Sequence, residues 1–419
     1  MKKSLVLAMA MALGVTASAY AANPFSDVPA GHWAYDSISK LAAAGVIEGY
    51  GDDTFRGDRL MTRYEMAQIV AKAMAKGANV DKLAAEFADE LDKLNVRVAA
   101  LEKKSDNVKI TGQFRYHYAS VRGRNDYEYQ HGLRTRIWFT GKVNDGWTYT
   151  GMLQNYQDLK DNAENPATNF QRAYLDGRLG GLQVRAGRHD FQLVDANLYD
   201  SRMDGIKVSY GKKFKVGAYY GKPTDGYDTL DYNGAGNNNV KYDRFWGANI
   251  GYEAGKWAFN VAYDKFQDGK IGNADAAGFK DDGVFSVQAK YSVGKVSLDA
   301  IYMKSDVDAK YNNPATGVAK DANTHGVVVT AAYGGAEAAK VGTWGLIGKY
   351  YNQGAGTFIA HTSDGDPTQF ANEGFCGYSI GANYTVAKNM VAGLAYYDFK
   401  GRESKDKRRT LWTEMVVTF

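Results

Sequence analysis

Arg115, Arg134, Arg136, Arg172, Arg178 and Arg185 each stand among apolar residues at alternating positions. Side chains of an extended strand point to its two faces in turn. With Ile110, Phe114 and Tyr116 on one face, Lys109, Gln113, Arg115 and His117 share the other. Leu133, Ile137 and Phe139 set off Arg134 and Arg136 in the same way; Ala173, Leu175 and Leu179 set off Arg172, Asp176 and Arg178; Leu182, Val184 and Ala186 set off Arg185. The segment that follows, residues 189–204, carries Asp190, Asp195, Asp200 and Asp204 among Phe191, Leu193, Val194 and Leu198, and its apolar residues suit burial better than exposure. Cations fixed on one wall and carboxylates on a loop inserted opposite them would set a transverse field across a pore constriction and sort polar and ionic solutes. The plainer alternative is that the arginines only solvate a wide wall. Bond-making chemistry is not indicated: the six histidines are scattered, and neither a Ser-His-Asp order, a metal-ligand spacing nor a phosphate loop stands out, so neither an enzyme nor a cofactor is expected. A net charge of +4 leaves no nucleic-acid footprint.

The elements that must hold these side chains are strands. Period-two stretches bounded by turn residues fall near 108–120, 131–143, 147–158, 169–179, 182–188, 205–210, 213–221, 241–253, 256–266, 282–292, 295–305, 323–334, 341–353, 374–386, 389–400 and 409–419, sixteen in all. Their connections alternate in length. One set is tight, such as Gly180-Gly181 and Gly211-Lys212; the other is long and rich in Gly, Asn and Asp, as at 222–240, 306–322 and 354–373. Short turns on one side and long loops on the other, with an even strand number, predict an all-β sixteen-stranded antiparallel transmembrane barrel over 107–419, seated in outer-membrane lipid. The last stretch alternates Leu411, Thr413, Met415, Val417 and Phe419 with Trp412, Glu414, Val416 and Thr418. Thirty tyrosines suit interfacial girdles, and a mean hydropathy of −0.44 fits a wall whose inner residues meet water. Beyond the first residues no apolar run of about 18 supports a spanning helix.

Residues 1–21 read as a secretory signal: Lys2 and Lys3, an apolar core over 5–15, and Ala19-Tyr20-Ala21 at the cleavage site. A lone cysteine, Cys376, leaves the exported chain no internal disulfide. Residues 22–76 differ in kind, with Ile38, Leu41 and Ala42 at helical spacing before Gly45, and Met66, Ile69, Val70 and Ala73 repeating the pattern after a turn. Thr62 and Glu65 have the spacing of a capping box. Arg63, a cation in a first helical turn, opposes the helix dipole, and so points to an anionic or hydroxyl-rich ligand at that helix start. Trp33 and Tyr35 either stack on a sugar ring or fill a small core. Over residues 77–106, Val80, Ala84, Phe87, Leu91, Leu94, Val98 and Leu101 recur at intervals of four and three, a heptad seam that predicts a coiled-coil stalk; the alternative is a helix packed on the barrel mouth. At 1.5 Å per residue it would reach roughly 40 Å.

Residues 22–76, through Phe25-Ser-Asp-Val-Pro29, His32-Trp-Ala-Tyr35, Gly45-Val-Ile-Glu-Gly-Tyr50 and Thr62-Arg63-Tyr64-Glu65, closely resemble an S-layer homology (SLH) domain, with Tyr64 where the family has alanine. The resemblance implies a cell-wall-binding domain that holds peptidoglycan or a polymer bound to it, with Asp27 and His32 in the matching motif. Such domains commonly occur in three tandem copies, whereas one is legible here. The order of signal, single wall-binding domain, stalk and barrel resembles the SLH-porins, a family that includes the OmpM proteins. That likeness implies a homotrimeric diffusion channel for small hydrophilic solutes and ions, with the N-terminal domain in the periplasm tying the outer membrane to peptidoglycan, reportedly in a polyamine-modified form. A cationic polyamine would favour Asp27 or Glu65 over Arg63, and which charge reads the ligand stays open. The competing reading is a surface adhesin or S-layer component whose barrel is only an anchor.

Overall fold

The computed structural model describes residues 24–76, 80–93, 108–123, 127–160, 167–224, 240–271, 274–276, 278–312, 317–360 and 362–419. The expected signal segment lies outside them. The chain divides into one unit ending at Asn107 and a second, Val108–Phe419.

In the first unit, helix α1 (Tyr35–Ala43) buries Ile38 and Leu41. It ends at Gly45, whose φ of 65° suits a residue without a Cβ, and the Val46 amide closes the turn onto the Leu41 carbonyl at 2.9 Å. Helix α2 (Arg63–Ala75) starts with the expected capping box: the Glu65 amide donates to Thr62 Oγ1 at 3.2 Å and the Thr62 amide to Glu65 Oε2 at 2.8 Å. Two short helices follow, α3 (Asp81–Glu86) and α4 (Ala88–Lys93). Here the structure departs from the expected stalk. Val80, Phe87 and Leu91, the first half of the heptad seam, are buried with Phe25, Ile38, Leu41, Val46 and Val70 in one core. The spacing is real, but the partner surface is the chain's own domain, and the helix breaks at Phe87 (φ −106°, ψ 21°). Packing in this unit therefore runs to Leu91, past the expected boundary at 76; Leu94, Val98 and Leu101 lie outside the described residues.

The second unit is a closed antiparallel barrel. Its sixteen strands are β1 (Val108–Arg122), β2 (Tyr127–Asn144), β3 (Trp147–Asp158), β4 (Asn169–Leu179), β5 (Leu182–Leu193), β6 (Tyr199–Gly211), β7 (Phe214–Pro223), β8 (Arg244–Ala254), β9 (Trp257–Gln267), β10 (Asp282–Val293), β11 (Val296–Ser305), β12 (His325–Gly334), β13 (Trp344–Gln353), β14 (Phe375–Ala387), β15 (Met390–Gly401) and β16 (Lys407–Thr418). Each pairs with the next, and β16 returns to β1 from Gln113↔Thr418 to Arg122↔Arg409. Phe419 completes the seam, exchanging 2.7 and 3.0 Å backbone hydrogen bonds with Gly112. The outward face carries exposed Ile110, Leu175, Val216, Ile250, Val287, Leu298, Val329, Leu346, Ile380 and Leu394. Exposed Tyr210, Phe214, Tyr252, Trp257, Tyr333, Trp344 and Tyr384 gather toward the short turns, and Tyr129, Phe170, Tyr220, Trp246, Tyr302 and Tyr350 toward the long loops. An apolar band between two aromatic girdles is the surface a membrane barrel presents to lipid.

Strand β5 requires a glycine at one position. Gly187 has φ 118°, and a Cβ there would lie 2.4 Å from the Ala173 carbonyl oxygen. Gly187 pairs with Gly205, and Gly205 with Gly221, so three glycines form a crease across β5, β6 and β7. A Cβ at Gly205 would lie 2.3 Å from the Tyr220 carbonyl oxygen, so these backbones approach more closely than side chains allow. Gly187→Ala should lower barrel stability by ~1–3 kcal/mol, the usual range for a residue forced into a disallowed backbone region. The readout is the temperature at which the folded species is lost on gel migration; an unchanged value would show that the crease does not need glycine.

Candidate functional site

The predicted arginine wall is present. Arg115 and Arg134 are register partners, as are Gln113 and Arg136, so β1 and β2 place three guanidinium groups on the inner face. Arg134 Nη2 donates to Gln113 Oε1 at 3.1 Å and Arg136 Nε to Gln154 Oε1 at 2.7 Å. Both are thus oriented by neutral amides, which fix position without cancelling charge. Arg115 lies 3.6 Å from Glu414 and over the Trp412 ring. Arg172 on β4 is ion-paired with Asp190, and Arg185 on β5 grips Asp176 through two hydrogen bonds of 2.7 and 3.0 Å. Among the described residues the buried Nε groups of Arg115, Arg134 and Arg172 have no acceptor. Arg178 does not join them. It is exposed beside the short turn, opposite Gln183, with its amide bonded to the Gly146 carbonyl; the alternation gave its face correctly but not its height in the wall.

The acidic segment does enter the lumen, in a different form from that expected. Residues 189–193 and 199–204 are strand, paired from Asp190↔Arg202 to Leu193↔Tyr199, and only the tip, 194–198, is loop, with positive φ at Val194, Asp195 and Ala196. Phe191, Leu193 and Leu198 are buried, as their apolar character requires. The tip crosses to the far wall: Gln288 on β10 donates to Asp195 Oδ2 at 2.6 Å, and Gln353 on β13 to the Asn197 carbonyl at 3.0 Å. Asp200 accepts from Gln192 at 2.9 Å. Of the four carboxylates Asp190 pairs with Arg172 and Asp204 with Arg188, whereas the hairpin tip carries Asp195 across to Gln288 on the far wall.

A second segment also turns inward, which strand alternation does not indicate. In the connection between β13 and β14, Ala355, Phe358, Ile359, Ala360, Phe370 and Ala371 are buried, and the Ile359 amide donates to the Leu198 carbonyl at 2.7 Å. The signal is available in Phe358-Ile359-Ala360 and Phe370-Ala371, apolar runs inside a polar loop.

In the N-terminal unit a groove of about 570 Å³ is lined by Asp27, His32, Trp33, Tyr50, Arg56 and Arg59, among others. Trp33 is 53% exposed, which decides against a core role, whereas Tyr35 packs on the core. Asp27 accepts the Phe55 and Arg56 amides, each at 2.6 Å; the Phe55 amide first, and then that of Arg56, holds its carboxyl below the ordinary 3.8. Arg56 lies 4.5 Å over the Tyr50 ring; Tyr50 belongs to a matching motif and Arg56 to none, and only the fold brings both to Trp33. Arg63 is placed otherwise than expected. Its guanidinium donates to Glu90 at 2.7 Å, to the Glu86 carboxylate at 3.1 Å and to the Glu86 carbonyl at 2.8 Å, and it covers the Phe87 ring. The anion that offsets a cation at this helix start belongs to α3 and α4.

Comparison with known proteins agrees with this architecture. Residues 70–404 match the Gram-negative porin family and residues 24–67 the S-layer homology domain. The chain belongs to the Gram-negative porin family and is an outer-membrane protein that carries an S-layer homology domain. Among curated relatives, outer membrane protein SlpA of Thermus thermophilus is 38% identical over 123 residues, 24% of this chain and 13% of the relative. SlpA of Deinococcus radiodurans is 40% identical over 124 residues, 24% and 11%, and outer membrane protein alpha of Thermotoga maritima 39% over 87 residues, 19% and 20%. The chain thus spans 11–20% of the length of these relatives. Among solved structures, a Salmonella typhi OmpF complex with daunomycin aligns over 74% of this chain and 97% of that one, at a TM-score of 0.48 and 14% identity.

The Arg63 clamp makes a pH prediction. The Arg63 hydrogen bond holds the Glu90 carboxyl below its ordinary 4.5, and a depressed carboxyl stabilises the fold above its unfolded pKa and loses that contribution as pH falls through the folded value. Thermal unfolding of the N-terminal unit, followed by circular dichroism in the full chain, should weaken on acidification below about pH 4.5. Arg63→Ala should unfold earlier at neutral pH and show less acid dependence; parallel pH profiles for the two proteins would rule the clamp out.

Proposed function

We propose that this porin is a general diffusion channel for small hydrophilic solutes and ions that also ties the outer membrane to peptidoglycan through its N-terminal domain. The observation that carries the channel reading is the one-sided lumen: an inserted hairpin against one arc of wall, and Arg115, Arg134, Arg136 and Arg172 along another. Water-filled space lined by fixed charge passes polar solutes and ranks them by charge. The tether reading draws support from the S-layer homology match and from the groove, where the exposed Trp33 ring suits stacking on a sugar and Arg56 and Arg59, paired with Asp52 and Glu65, line a polar wall beside it. Asp27 and Glu65 hold the local backbone, so they shape the groove whichever charge meets the ligand. Assembly as a homotrimer would present three such domains to the wall from single copies.

Purified protein should give stepwise conductance in planar bilayers. Arg134→Gln with Arg136→Gln should shift its selectivity toward cations, because removing fixed positive charge lowers the local anion concentration. In sedimentation with native peptidoglycan the intact chain should pellet, a version lacking residues 22–93 should not, and Trp33→Ala should bind about tenfold more weakly, equivalent to ~1.4 kcal/mol. Absence of conductance steps would overturn the channel, and equal pelleting of all three proteins would overturn the tether.

A further inference from the structure

The second inward segment, residues 354–374, is fastened at three places. Its middle is latched to the hairpin tip: besides the Ile359 bond to Leu198, the Asp200 amide donates to the Ala360 carbonyl at 2.9 Å. Its later part is held to the wall, where Arg408 on β16 donates to Asp366 Oδ2 at 2.8 Å and a Cβ on Gly365 would lie 2.5 Å from the Phe399 ring and 2.7 Å from that of Tyr397. Its end is anchored by Glu373, whose carboxylate accepts the Glu403 and Ser404 amides at 2.6 and 2.7 Å and the Ser404 hydroxyl at 2.6 Å. Between these anchors Ser363 closes a turn, with the Gly365 amide on its hydroxyl at 3.0 Å and the Asp366 amide on its carbonyl at 3.1 Å. The turn presents Asp364.

Asp364 is exposed, and it lines a lumenal recess with Tyr397, Trp412 and Glu414. The charges that act on it most strongly are those of Arg115, Glu414 and Arg134. Asp190 is paired with Arg172, and Asp195 and Asp200 are bound to glutamines, whereas among the described residues the Asp364 carboxylate makes no hydrogen bond. The geometry points to Asp364 as the loop carboxylate that faces the arginine wall and, with Glu414, sets the ion selectivity of the pore. The inference rests on the channel reading. In a narrow, water-filled section walled by low-dielectric protein a single fixed charge acts strongly on passing ions, and neutralising a carboxylate there favours anions.

The test is the reversal potential of reconstituted full-length protein under a KCl gradient, for the wild type, Asp364→Asn, Asp364→Glu and Asp195→Asn. Asp364→Asn should lower the cation-to-anion permeability ratio by about twofold near 0.1 M salt, and the shift should fade near 1 M, where the Debye length falls to about 3 Å. Asp364→Glu should keep the wild-type ratio, and Asp195→Asn should change it less than Asp364→Asn. A conducting Asp364→Asn channel with unchanged ratio would overturn the inference and leave the channel reading standing. A wild type without conductance would overturn both.

Discussion

Everything in the barrel follows from the absence of water in the hydrocarbon layer. A backbone amide or carbonyl that meets lipid unpaired costs several kcal/mol, so a sheet crossing the membrane cannot keep an edge. The ring of pairings from β1 to β16 and back meets that demand, and the two bonds between Gly112 and Phe419 carry it to the last residue. The chain's outer face is then fixed as apolar, and its inner face is left to water, charge and the loops.

The inner face is not uniform. Phe191, Tyr199, Phe245, Phe266, Phe358, Phe375 and Phe399 belong to one buried cluster inside the barrel. It is assembled from the β5–β6 hairpin, the β13–β14 segment and the wall strands that they cover. A soluble protein forms its core between layers of sheet or helix; here inserted loops take the place of a second layer. Gly187, Gly205 and Gly221, paired in turn across β5, β6 and β7, bring the backbones close at the base of that hairpin. Since the cluster occupies one arc, the arginines of β1, β2 and β4 line what remains open.

The strand count and the inward faces of Arg115, Arg134, Arg136, Arg172 and Arg185 were legible because strand alternation is local and every strand has the same two environments. Height in the wall was not legible for Arg178, since alternation gives a face and no depth. The reach of Asp195 to β10 is hidden for a related reason: pairing between residues 189–193 and 199–204 depends on β5 and β6 continuing together, which neither stretch shows alone. The heptad spacing at Val80, Phe87 and Leu91 gave a helix with an apolar stripe but could not say which surface would cover it. Arg63 by itself is a cation that opposes its helix dipole, and the anions that answer it, Glu86 and Glu90, lie more than twenty residues on.

That clamp also bears on how such a chain can be put together from parts. The sequence families meet between residues 67 and 70, inside α2, whereas the core of the N-terminal unit closes only with Phe87 and Leu91 and its clamp with Glu90. A recombination that joined a wall-binding module to a new barrel at the family border would cut a helix and leave Val70 without its cover. The piece that can be inherited intact reaches at least to Leu91, so the segment that follows the wall-binding module travels with the domain it helps to fold.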